Sequence, residues 1–89
     1  MRFKITQQAE RDLKDIYRYT ELTFGRRQAE KYLRELDTVF ELIGDNPRIG
    51  RKYDGNTHRF LHGKHIILYR VKTDHVLIGR IFHGAQAKG

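Results

Sequence analysis

The stretch FGRRQ, residues 24–28, leaves almost no chain between two amphipathic helical patterns, and that brevity dictates how the first half of the sequence folds. Upstream, TQQAERDLKDIYRYTELTFG places Ala9, Leu13, Ile16, Thr20 and Phe24 at helical spacing, with Thr6 able to cap the start and Gly25 to end the helix. Downstream, RRQAEKYLRELDTVFELIGDNP repeats the design: Ala29, Leu33, Leu36, Phe40 and Ile43 share one face, and Gly44 with Pro47 marks the stop. Two helices joined this tightly fold back as an antiparallel pair. Opposite charges four apart, Glu10 with Lys14 and Glu30 with Arg34, belong on the solvent sides.

The flanking segments have a different period. RFKI, near the start, alternates as a short strand does. After the helices, GDNPRIGRKYDGN is rich in turn residues and reads as a loop, followed by HRFLH, HIILYRV and VLIGRIFH as a three-stranded meander. No linker, repeat or low-complexity segment separates the halves. The expected architecture is a single α+β domain over residues 1–89, in the order β-α-α-β-β-β, with the antiparallel helix pair packed on a small, mainly antiparallel sheet.

A two-residue TD turn in the last hairpin would set Lys72 opposite His75, Arg70 opposite Leu77 and Tyr69 opposite Ile78. One face then holds His65, Ile67, Tyr69, Val71, Val76, Ile78, Arg80 and Phe82, and the other holds Ile66, Leu68, Arg70, Leu77, Gly79, Ile81 and His83. Arg80 and His83 point to opposite sides, so they do not form one catalytic pair. His65, Tyr69 and Arg80 are expected on the helix-covered face in structural roles, Arg80 paired with a helix carboxylate because an unpaired buried arginine is costly. Both faces are apolar but one helix layer covers only one of them, which leaves Ile66, Leu68 and Leu77 for a partner, with Arg70 and His83 beside them.

Charge divides unevenly along the chain. Residues 46–89 contain only Asp54 and Asp74 as carboxylates, so the whole net charge of +7 arises there, together with all five histidines. Such a half suits docking to an acidic protein or to nucleic acid, with Arg48, Arg51 and Lys52 in the loop and Arg70 and His83 on the sheet as target-binding candidates. The competing reading is a solvated basic face that confers solubility. Catalytic parts are scarce. There is no cysteine and no serine, and the carboxylates concentrate on the helices. The two histidines of HRFLH, four residues apart in a strand, would lie about 13 Å from each other, too far to share a zinc ion. HGKH carries Gly and Lys but lacks the preceding glycine and the following Ser/Thr of a phosphate-cradling loop. No metal, cofactor or catalytic residue is therefore assigned. Charges throughout the first thirty residues argue against a signal peptide or membrane span, and the expected location is the cytoplasm.

AERDLKDIYRYTELTFGRRQAEKYLREL, DNPRIGRKY, HRFLHGKHIILYRV and IGRIFHG, taken in order, resemble the ParE branch of the RelE/ParE toxin family of bacterial toxin–antitoxin systems. The resemblance implies the fold described above and a hetero-oligomer with a cognate antitoxin, ParD-like or of another type. It also implies one of two targets. RelE-like members cut messenger RNA on the ribosome; ParE-like members bind DNA gyrase and stabilise its broken-DNA complex without an enzymatic reaction of their own. RNA-cutting members typically carry an arginine three residues before the aromatic of the YRV-like stretch, where this chain has Ile66, and their charged or aromatic ending is replaced by Gly84, Ala85, Gln86 and Ala87. The resemblance therefore implies a gyrase-binding toxin, with a ribosome-dependent ribonuclease and a small basic nucleic-acid-binding module as the alternatives.

Overall fold

The structure is a computed structural model that describes residues 2–87. Strand β1 (Arg2–Ile5) leads into helix α1 (Gln7–Phe24) and helix α2 (Arg26–Asp45). Strands β2 (Arg51–Asp54), β3 (Thr57–His62), β4 (His65–Val71) and β5 (His75–His83) follow, and a 3-10 turn spans Gly84–Ala87. Thr6 caps α1 as its sequence position predicts: its hydroxyl accepts the Ala9 N–H at 3.0 Å. Gly25 closes one helix and opens the next. Its N–H donates to Glu21, its carbonyl accepts from Ala29, and its φ of 95° is a conformation that glycine adopts without strain. Phe24, spaced as if on the core stripe, falls at the turn and is 67% exposed.

The sheet runs β1-β5-β4-β3-β2, with β1 parallel to β5 and every other pair antiparallel. The expected order holds, with one strand more. RKYD, expected in the loop, is β2, so the meander has four strands. All four β2 residues are exposed, and a strand with neither face buried leaves no hydrophobic alternation to read. The core lies between the helix pair and one sheet face. Ile16, Leu36, Phe40 and Ile43 pack there against Ile67, Tyr69, Val76, Ile78 and Ile81, and Phe3 of β1 meets Phe40 with ring centroids 5.6 Å apart.

The last hairpin begins in the expected register, with Tyr69 opposite Ile78 and Arg70 opposite Leu77, and then changes. Gly79 is an extra residue on β5, so Leu68 pairs with Arg80, Ile67 with Ile81 and His65 with His83. This β-bulge exchanges the faces of everything beyond it. Unbroken alternation would drive Arg80 into the core and expel Ile81. With the bulge, Ile81 is 1% exposed and the Arg80 side chain is 49% exposed. The face assignments of four residues are thereby corrected: Ile81 takes the helix-side face and Phe82 the open one, and the same exchange sets Arg80 on the face turned away from the helices and His83 on the helix-side face with His65. Arg80 and His83 still point to opposite sides, as expected.

Candidate functional site

The face that no helix covers presents Arg2 and Lys4 from β1, Leu77 and Arg80 from β5, Leu68 and Arg70 from β4, Thr57 and Arg59 from β3, and Arg51 from β2. Pairing aligns Arg51, Arg59, Leu68 and Arg80 in one row across four strands. Lys4, Leu77, Arg70 and Thr57 form the next row. Leu68, Leu77, Gly79, Arg70, Arg80 and Thr57 border a shallow trough on this face. The strands themselves carry a single carboxylate among the described residues, Asp54 at the end of β2.

Two of these arginines are held by fixed partners. Arg70 Nε donates to Thr57 Oγ1 at 3.3 Å. Arg80 Nε donates to Asp12 Oδ2 at 2.9 Å, which supplies the helix carboxylate the sequence led us to expect. The pair sits at the sheet margin, not in the core. Burial alone would raise the Asp12 pKa, but bonds from the Ile81 N–H, Arg80 and Gln8 outweigh it and hold the carboxyl below its ordinary range. Asp12 went unnoticed in the sequence, although its spacing from Ala9 and Ile16 places it on the buried stripe of α1.

The other candidate residues divide. Arg48, Arg51 and Lys52 are all exposed, as their assignment to a binding surface requires. Ile66, expected to await a partner, is only 6% exposed, so of the three apolar candidates only Leu68 and Leu77 stay partly open. Tyr69 is buried among core residues, and its hydroxyl donates to Pro47 O at 2.8 Å and accepts the Gly50 N–H at 2.9 Å, which fastens the loop before β2. On the helix side, Tyr32 Oη lies 2.6 Å from His65 Nδ1, and the His65 and His83 rings meet edge to face at 5.7 Å. Burial, then the neighbouring His83 and His62, lowers the His65 pKa. Among the described residues no cluster has the donors to hold a metal ion. Nor is any described helix long and apolar enough to cross a membrane.

Residues 3–88 match the family model of the ParE toxin of the type II toxin–antitoxin system parDE. The chain belongs to the ParE toxin family. Among the relatives of this ParE-family chain are Toxin ParE1 of Caulobacter vibrioides, 33% identical with 91% of this chain and 86% of the relative covered, and Toxin ParE1 of Mycobacterium tuberculosis, 33% identical with 92% and 88% covered. Solved structures share the fold. The chromosomal ParDE system from P. aeruginosa gives a TM-score of 0.81 at 23% identity, covering 93% of this chain and 95% of that one. The RelBE2 toxin–antitoxin complex from Mycobacterium tuberculosis gives 0.63 at 23% identity, covering 92% and 95%.

Proposed function

We propose that this ParE-family toxin inhibits DNA gyrase by binding it and stabilising its broken-DNA complex, and that a cognate antitoxin neutralises it in a hetero-oligomer. The observation that carries the choice of target is Ile66. Where the RNA-cutting branch of the wider family typically carries an arginine, this chain has an apolar side chain that is 6% exposed. Cleavage through a ribose 2′-hydroxyl builds charge on the phosphate and needs a stabiliser there. Binding requires no such constellation, only complementary charge and shape. Exposed Arg48, Arg51, Lys52 and Arg70 supply the charge. The trough between Leu68 and Leu77 offers an apolar seat for the antitoxin, whose docking there would cover Arg70.

The test compares two reactions at the same toxin excess. Purified toxin is expected to block supercoiling by gyrase or to accumulate gyrase-dependent DNA breaks, and to leave messenger RNA intact on translating ribosomes. Cut messenger RNA with normal gyrase turnover would replace this reading with the ribonuclease one. Antitoxin that restores gyrase without slowing hydrogen exchange at Leu68 and Leu77 would move its seat elsewhere.

A further inference from the structure

We infer that the open face of the sheet is itself a DNA-binding surface, gripping the phosphate backbone of a duplex through Arg51, Arg59, Arg70 and Arg80. Arg51 and Arg59 face each other directly across β2 and β3. Like charges at such a position repel, and among the described residues neither is joined to a carboxylate in an ion pair. Nothing in the packing requires this pair, since both side chains are exposed. A polyanion laid across them would turn the repulsion into attraction.

The arrangement distinguishes a duplex from an acidic peptide. A peptide added along the sheet would run beside one strand and meet cations in one line. Here they spread across strands. From Arg51 on β2 to Arg80 on β5 is three inter-strand steps, about 14 Å, comparable with the roughly 12 Å width of the DNA major groove. Within that row Leu68 separates Arg51 and Arg59 from Arg80, and Arg70 stands in the adjoining row on β4, so the cations at the two ends of the row reach phosphates on either side of a groove. Thr57 and Asp12 orient two of the four guanidinium groups beforehand. Phe82, an aromatic of this face, is half-buried with Arg80 5.7 Å from its ring centroid, so it offers no open platform for stacking bases. Contacts of this kind position a protein on DNA without reading its sequence.

The inference deepens the gyrase reading by naming what the toxin touches in a gyrase–DNA complex, but its test uses DNA alone. Binding of the full chain to a fluorescent duplex is measured from 50 to 200 mM salt. Neutralising four phosphates predicts a log–log slope of about −3.6, a loss of affinity of about 150-fold over that range. Arg51→Gln and Arg59→Gln should each reduce the slope by about 1 and weaken binding to unrelated duplexes equally. Both are expected to melt at or above the parent temperature, because each relieves the repulsion. A duplex that does not bind at 50 mM salt, variants with unaltered slope, or polyglutamate binding as tightly as DNA at equal charge would each overturn the inference. Gyrase inhibition that survives Arg59→Gln together with unaltered DNA affinity would overturn it while leaving the gyrase reading in place. A parent that binds DNA but leaves gyrase untouched would sink that reading and leave this one.

Discussion

Asp12 on α1 accepts the backbone N–H of Ile81 at 2.9 Å with the same oxygen, Oδ2, that holds Arg80 Nε at 2.9 Å. β1 ends at Ile5, level with Ile78, so beyond that point β5 has no strand on its β1 side. The helix carboxylate takes the acceptor position that a strand would fill. A sheet margin left open there would expose unpaired donors to other chains. One side chain therefore satisfies the backbone, docks α1 on the sheet and fixes an arginine of the open face.

Removing Asp12 should cost more than removing Arg80. Asp12→Ala leaves the Ile81 N–H without its acceptor and frees Arg80, a loss of about 2 to 3 kcal/mol for bonds to a charged group. Arg80→Ala removes a half-exposed partner and should cost about 1 kcal/mol. Denaturant melts of the two single variants and the double variant check this, and equal losses would place the anchor in the ion pair and not in the backbone bond. The contribution also depends on acid. Because the Asp12 pKa is lowered in the fold, its stabilisation is present above the ordinary carboxylate range and fades as pH falls through the lowered value.

The histidine cluster has the opposite origin and a milder window. His65 faces Tyr32 from α2, His62 from β3, whose ring lies 3.7 Å from Glu35, and His83 from β5. Its lowered pKa means that the unfolded chain takes up a proton first, so stability falls as pH drops below about 6.5 and levels off once the folded form is protonated too. The parent is expected to lose more melting temperature between pH 7.5 and 5.5 than His65→Gln does. Identical losses would assign the pH response to the other histidines.

Where the side-chain pattern and the backbone agreed, the sequence was readable. Thr6 and Gly25 announce the helix ends by chemistry that acts within a few residues, and the TD turn places Arg70 opposite Leu77. β2 was hidden because its pairing to β3 rests on backbone bonds and leaves every side chain in solvent. The bulge is the instructive case. Alternation over VLIGRIFH has two solutions, and the choice follows from the cost of burying Arg80 against that of exposing Ile81. An isolated glycine inside an apolar strand is the local signal of a bulge. Of the open face, Arg70 and the basic loop were legible; Arg59 was not, because only the three-dimensional pairing sets it opposite Arg51.

Tyr69 links the core to the segment that carries Arg48 and Arg51. Tyr69→Phe keeps the buried ring but deprives the Gly50 N–H and the Pro47 carbonyl of their partner, and about 1 to 2 kcal/mol should be lost. Gly50→Ala attacks the same contact from the other side. A Cβ there would stand 2.6 Å from the Tyr69 hydroxyl and 2.5 Å from the Arg59 carbonyl, so strand β3 or the loop must shift. Greater protease sensitivity confined to residues 46–56 is expected for both variants. Unaltered cleavage would mean that the loop holds its place without Tyr69.

The last prediction concerns how the bulge is kept. The Thr6 hydroxyl accepts the Ala9 N–H at 3.0 Å and donates to the Gly79 carbonyl at 2.9 Å, so one group caps α1 and secures the bulged residue of β5. Thr6→Val retains the shape and removes both bonds. Loss of the cap alone costs about 1 kcal/mol, and the unpartnered Gly79 carbonyl should bring the total to about 2 kcal/mol or more. Thr6→Ser, which can make both bonds, should stay close to the parent. Amide exchange separates the two effects, because fraying of α1 quickens only the first helical turn, whereas loosening of the bulge also quickens Arg80 and Ile81. Faster exchange restricted to residues 7–10 would show that Thr6 acts as a cap only and that the Asp12 bond to Ile81 suffices to hold Arg80 on the open face.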